Sequence, residues 1–425
     1  MVILIMNANL EVNAEVVKES YVYLLSRYLV LRQENFDTKE DKIPYNTLKH
    51  NSISPADANF VNPNFDVVYS EAWIAVDDEN AVILEVPEIK NRYYTVQLLD
   101  GWGEVVTNIN ERNYPEHPHG KFAFVKKGTN PSVPSDAVKI ELPSEKVKVL
   151  LRVEQKDDPE GAVKLQKAFK FDAPDNIKIK EPLEIPHFTN AEFLLEEIYS
   201  NLEELLATYP DKMPRATEFQ DKARQVAAYI ELGDEQKAEV RNLIVKEAIP
   251  YFTNGAKGFG TQKGGWSVTY VAGAFENDIL ARAIINYGGI WANSIQEALY
   301  FIGQKGTDNE LLTGDKVYKI HFPADELPSE LADAFWSVTL YSVPDYHVIP
   351  NKLNKFRINN YSGPKLSEDG SLTLYIASEK PADVDPGNWL PSKAGKEFSL
   401  NFRLYVPKKE VLEGKVFLPP LEVIK

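Results

Sequence analysis

The chain reads as a mainly β protein with an α-rich middle segment: an N-terminal helix, an antiparallel β-sandwich, a small helical domain and a C-terminal jelly-roll-like β-sandwich. Three observations predict this. From residue 60 to 171 apolar and polar residues alternate with period two in short runs broken by Pro and Gly, as in VVYSEAWIAV, RYYTVQLL and EKVKVLLRVEQ, the pattern of half-buried strands. Between about 190 and 302 the apolar spacing widens to three and four, as helices require. From Val317 alternation returns in FWSVTLYSV, SLTLYIAS and EFSLNFRLYVP, a second set of strands suited to a jelly roll. The divisions follow as 1–50 for the helix and connector, 51–185 for the first sandwich, 186–305 for the helical domain and 306–425 for the second sandwich.

Taken in order, Val16, Val17, Tyr21, Leu24, Leu25, Tyr28 and Leu29 predict an amphipathic helix over 15–31, with a polar connector to about Leu48. After the first strands, Thr189 followed by Glu192 is a capping-box signature opening a helix through Leu206. Further helices are expected over 216–232, 235–248, 275–287 and 294–302, with the glycine-rich stretch 255–265 as a loop. That stretch matches neither phosphate-binding glycine pattern. Asp369-Gly370 is a turn dipeptide. In the last strand Phe398, Leu400, Phe402, Leu404 and Val406 fall on one face, and Ser399, Asn401, Arg403 and Tyr405 on the other.

Composition excludes several functions. A net charge of −16 argues against nucleic-acid or anionic-membrane partners, which need clustered Lys and Arg. With no cysteine there is no disulfide, thiolate metal site or cysteine nucleophile. No apolar run reaches the ~20 residues of a membrane span, and the opening MVILIMNANL is not a signal-peptide core, so the expected location is cytoplasmic, or periplasmic if a leader was removed. The six histidines are scattered, and neither a metal nor another cofactor is expected.

The richest stretch for chemistry runs from Asn62 to Trp102. It gathers Asn62, Asn64, Asp66, Tyr69, Arg92, Tyr93, Asp100 and Trp102 on strand-like segments, where amides and charges can orient a small polar ligand against aromatic faces. The structural alternatives are that Asn62 and Asp66 cap a turn and that Arg92 braces two strands. Glycoside cleavage would need two carboxyls at a defined separation, for which Glu71, Asp100 and Asp278 are the candidates.

Several segments, in order, carry a resemblance: VNPNFDVVYSEAW, RYYTVQLLDGWG, GAFENDILARAIINYGGI, HFPADELPSELADAFWSVTLYS, NWLP and FSLNFRLYVPKKEVLEGKVFLPPLE. Together they resemble the two-domain family of domains of unknown function 1254 and 1214. That resemblance implies the same sandwich, helical and jelly-roll-like parts, and no settled biochemistry. It also points to Asp278, Arg282, Trp336, Ser337, Tyr341 and Trp389 as residues that converge on the first stretch from elsewhere. Where the family's first motif reads Asn-Asn-Asp-Thr, this chain has Asn64, Phe65, Asp66 and Val67. An amide and a hydroxyl are therefore missing.

The expected function is binding or hydrolysis of a small polar or carbohydrate-like ligand at an interdomain pocket formed by Asn62, Asn64, Asp66, Tyr69, Arg92, Tyr93, Trp102, Arg282, Trp336 and Tyr341. Two alternatives stand beside it: a structural protein assembling through its β-domains into a homo-oligomer, and a carboxylate-pair glycosidase.

Overall fold

The computed structural model describes residues 12–53 and 64–424. Asn62 lies outside the described residues. The first helix, α1 (Ala14–Asn35), is capped by Asn13, whose side chain accepts from the backbone N–H groups of Glu15 and Val16. It is not one-faced. Every residue from Ser20 to Leu31 is buried, because helices cover one side and the first sandwich the other.

That sandwich comprises β1 (Lys49–His50), β2 (Val67–Ala75), β3 (Val82–Val86), β4 (Tyr94–Leu99), β5 (Val105–Ile109), β6 (Gly120–Lys126), β7 (Val138–Leu142), β8 (Lys146–Glu154) and β9 (Lys170–Asp172), with α2 (Pro159–Gln166) between the last two. Its sheets run β1-β2-β8-β4-β5 and β7-β6-β3-β9. Val68, Ala72, Ile74, Val147, Val149 and Leu151 point into the core between them. Period two then sends Tyr69, Glu71, Trp73, Lys148, Leu150 and Arg152 to the opposite face of the five-stranded sheet. That face is covered too.

The middle segment folds as α3 (Leu202–Thr208), α4 (Ala216–Ile230), α5 (Asp234–Leu243), α6 (Ile249–Lys257) and α7 (Ile279–Gly289), a π-turn joining α5 to α6. Two expectations fail here. Thr189 does accept from the N–H groups of Ala191 and Glu192, but only a 3-10 turn and the short α3 follow. The segment predicted as a helix over 294–302 is instead a turn followed by the strand Ala298–Gly303.

The second sandwich draws on residues from 261 onward. Its strands are β10 (Thr261–Lys263), β11 (Trp266–Val268), β12 (Ala298–Gly303), β13 (Tyr318–Phe322), β14 (Ala332–Ser342), β15 (Arg357–Asn359), β16 (Leu372–Ala377), β17 (Trp389–Pro391), β18 (Phe398–Pro407) and β19 (Glu422–Val423). They form sheets ordered β10-β11-β12-β18-β14-β15 and β17-β16-β13-β19. Each sandwich contains one parallel pair, β6 with β7 and β16 with β17, among otherwise antiparallel strands. Phe398, Leu400, Phe402 and Leu404 pack in the second core as the alternation predicts. Val406 leaves the pattern with a positive φ of 54°. The free face of the six-stranded sheet carries Ser337, Thr339, Arg403 and Tyr405, and turns toward the five-stranded sheet of the first sandwich. Among the described residues no helix is long and apolar enough to cross a membrane.

Candidate functional site

The two sheets are sewn together by side chains on their covered faces. Just before β2, Asn64 takes an Asx-turn in which its side-chain oxygen accepts from Asp66 N–H at 2.8 Å. Its amide group donates to the hydroxyls of Tyr69, at 3.0 Å, and of Tyr405 across the interface, at 2.7 Å. Asp66 is buried beside it. One carboxylate oxygen accepts from the Ser337 hydroxyl, and the other lies 3.0 Å from Arg357 Nη1 and 3.4 Å from Asn359 Nδ2. The Arg357 contact is one of charge without an aligned N–H, because Nη1 makes no hydrogen bond.

Two further arginines meet at this face. Arg152 of β8 donates to the Gln97 side chain and, at 3.4 Å, to Trp291 O, with its guanidinium 5.4 Å from the Tyr69 ring centre. Arg403 of β18 donates to Thr339 Oγ1 at 2.9 Å and Tyr341 Oη at 2.7 Å. Both are almost fully buried, at 3% and 2% exposure. Among the described residues neither contacts a carboxylate, and each Nε is buried without a partner. Tyr300, cross-strand neighbour of Arg403, lies within electrostatic reach of both, and burial pushes its phenol up. Tyr93 packs edge-on against Phe335 and Tyr405 and donates to Glu297 at 3.0 Å. Tyr69, Tyr300, Arg357 and Asn401 are half-buried, so the face reaches solvent.

Thus Asn64, Asp66, Tyr69, Tyr93 and Tyr341 of the predicted set come together. Four others do not. Arg92 spans from Glu154 O, at 2.8 Å, to the Asp158 carboxylate, at 2.8 Å, bracing the end of β8 against the start of α2. Trp336 stacks on Phe402 inside the second core, because its position in β14 points away from the interface. Trp102 and Arg282 meet each other, but in the helical core. The indole is fully buried and donates to Tyr209 O, and the Arg282 guanidinium sits 4.7 Å from its ring centre.

The carboxyl candidates occupy three separate networks. Glu71 receives Lys148 at 2.8 Å and Asn51 at 3.0 Å. Burial acts to raise its carboxyl, but Lys148 and Asn51 hold it below the usual range. Lys148 continues to Asp37, which also accepts from the Trp73 indole. Asp100 caps its own turn, accepting from Trp102 and Glu104 N–H. Gly103 completes that turn at φ +84°, where a side chain would strike Asn286. Burial raises the Asp100 carboxyl, and Glu104 beside it is pushed up to about 7 by burial and by the Asp100 charge. Both face Arg282, which also pairs with Asp211 at 3.1 Å. Asp278 is the exposed N-cap of α7, on the rim of a surface cleft of about 510 Å³ shared with Glu19, Arg215 and Tyr251.

Comparison with known proteins now adds to this geometry. Residues 45–173 match a family described as a protein of unknown function, DUF1254, and residues 297–409 match a second so described, DUF1214. The chain is a member of this two-domain family. Among solved structures it is similar to the VPA0106 protein from Vibrio parahaemolyticus, at 19% identity over 97% of this chain and 100% of that one, with a TM-score of 0.70. It is also similar to an uncharacterised protein from Burkholderia cenocepacia, at 13% identity over 97% and 95% of the two chains, with a TM-score of 0.48. No curated protein is similar to it.

The DUF1254 match contains Asp66 and Arg152, and the DUF1214 match contains Arg357 and Arg403. Arg282 lies in neither. Sequence reasoning passed over Arg152 and Arg357, and left Arg403 unused although its outward position was predicted. The available signal was the period-two row Lys146, Lys148, Leu150, Arg152, Glu154, which reads as a solvated strand face until something is known to cover it.

Proposed function

We propose that the chain binds a small polar compound between the DUF1254 and DUF1214 sandwiches. The observation that supports this reading is the pairing of two strand faces that carry hydroxyls, rings and charges among their apolar side chains, around Asp66 with partners from both domains. Packing alone is served better by apolar residues, since polar groups taken out of water return only what their partners give back. Half-buried Tyr69, Tyr300 and Arg357 are where this face reaches solvent.

Hydrolysis by a carboxylate pair draws no support from Glu71, Asp100 and Asp278, which are bound in separate networks as an ion-pair member, a turn cap and a helix cap. Among the described residues six of the eight edge strands, β1, β9, β10, β15, β17 and β19, have only two or three residues, which weighs against assembly through them, while β5 and β7 have five. The test is a thermal-shift screen of small polar compounds on the wild-type chain and on Tyr300→Ala. A bound ligand raises the melting temperature by mass action. Hits that disappear in Tyr300→Ala support the site; hits that persist place binding elsewhere, and a screen without hits removes the reading.

A further inference from the structure

Resting on that reading, we propose that the bound compound is an anion, held through a carboxylate or phosphate oxygen by the guanidinium groups of Arg152 and Arg403. The argument is one of charge. Of the arginines at the interface, Arg112 is paired with Glu297 at 2.6 Å and Arg357 touches Asp66, whereas Arg152 and Arg403 have no carboxylate in contact among the described residues. Arg152 and Arg403 are buried at 3% and 2% exposure, and their partners are an amide, a backbone carbonyl and two hydroxyls, all neutral. A charge taken out of water asks for an opposite one, and ring faces at 5.4 and 5.8 Å compensate only in part.

Geometry points the same way. Each guanidinium keeps a buried Nε without a partner, which in the planar fork leaves a donor free for an oxyanion. Hydroxyl donors stand alongside: the Tyr300 hydroxyl has no hydrogen-bond partner among the described residues, and the residue lies within electrostatic reach of both arginines. Outside the interface buried arginines are of two kinds. Arg282 has two carboxylates in direct contact, while Arg27, in the helical core, has a backbone carbonyl, a hydroxyl and a ring and also keeps an unpartnered Nε. What marks Arg152 and Arg403 is that two such groups stand on facing strand surfaces that reach solvent. The excess positive charge at the interface contrasts with a chain of net charge −16, so the surface offers no general attraction for anions that would mimic the site.

Three hexoses differing at one carbon make the test: glucose, glucuronate and glucose 6-phosphate, with inorganic phosphate as a bare oxyanion, titrated by calorimetry and thermal shift at low salt. Glucuronate, glucose 6-phosphate or inorganic phosphate is expected to raise the melting temperature saturably and glucose is not. Which of the anions does so separates a carboxylate from a phosphate ligand. The shift is expected to vanish in Arg403→Met and Arg152→Met, and to weaken about tenfold in Arg403→Lys, which keeps the charge and loses the fork. Should the buried variants fail to fold, the half-buried Arg357→Gln is expected to weaken the same shift, and Arg92→Met, outside the interface, to leave it intact. Glucose binding as well as glucuronate, in wild type and in Arg403→Met alike, overturns the anion proposal while leaving the binding site standing. An anion shift that survives Arg403→Met, Arg152→Met and Arg357→Gln overturns the assignment of the site, and no shift with any of the four probes overturns both.

Discussion

Arg282 and Arg403 are the same residue, equally buried, in opposite company. Arg282 contacts the carboxylates of Asp211 and Glu104, with Asp100 close by, and stacks on Trp102. Arg403 touches two hydroxyls and a ring. The first cluster carries more negative than positive charge, and it answers by raising the carboxyls of Asp100 and Glu104. The second places arginines, which do not deprotonate near neutral pH, beside Asp66 as the nearby carboxylate, and the proposed anion is what would balance the remainder. Charge balance, not burial, is what differs between these two clusters.

The largest effect expected is from Arg282→Met. It strands buried carboxylates around Asp211 and should cost about 3–5 kcal/mol, read as a lower urea midpoint with an unchanged slope. A cost no greater than that of Arg403→Met breaks the comparison. Next comes Glu104. Because its native pKa of about 7 lies above the ordinary 4.5, the folded chain holds the extra proton within that window. This contribution is therefore complete below about pH 4.5 and is lost as pH rises through 7, on the order of 3 kcal/mol. Glu104→Gln should accordingly flatten the melting-temperature profile and melt above wild type at pH 8; a profile parallel to wild type would show that the carboxyl is ionised throughout.

Smaller changes sharpen the contrast. Arg92→Ala removes a brace to an exposed carboxylate that water can solvate in its place, and about 1 kcal/mol should be lost at any ligand concentration. In the ligand-free chain Arg403→Met is expected to alter stability by about 1 kcal/mol or less. The desolvation cost removed with the charge offsets the two hydrogen bonds given up. A loss of several kcal/mol there, measured by denaturant unfolding, would mean that Arg403 is already balanced and that the interface is only structural.

How far the site could be read from sequence depended on what each residue's neighbours make audible. Alternation in FSLNFRLYVP put Arg403 and Tyr405 on the face opposite Phe402 and Leu404, and the structure agrees. The same reasoning cannot tell a solvated face from one covered by another domain, so Arg152 went unnoticed. Residues 298–303, ALYFIG, offer little alternation because apolar groups line both faces of a central strand, and they were taken for a helix. Trp102 looked like a stacking platform, since aromatic residues in a Gly-rich turn are legible while the helices that bury it, up to 184 residues away, are not.

What the amino-acid sequence determined by itself is the order of parts, the inward and outward side of the clearly alternating strands, the local cap at Thr189 and the membership in a two-domain family. These rest on periodicity and on contacts a few residues apart. The tertiary structure alone decided which outward faces meet and how their charges balance. Asp66 finds Ser337 and Asn359 across 271 and 293 residues, and no local pattern encodes a distance of that kind.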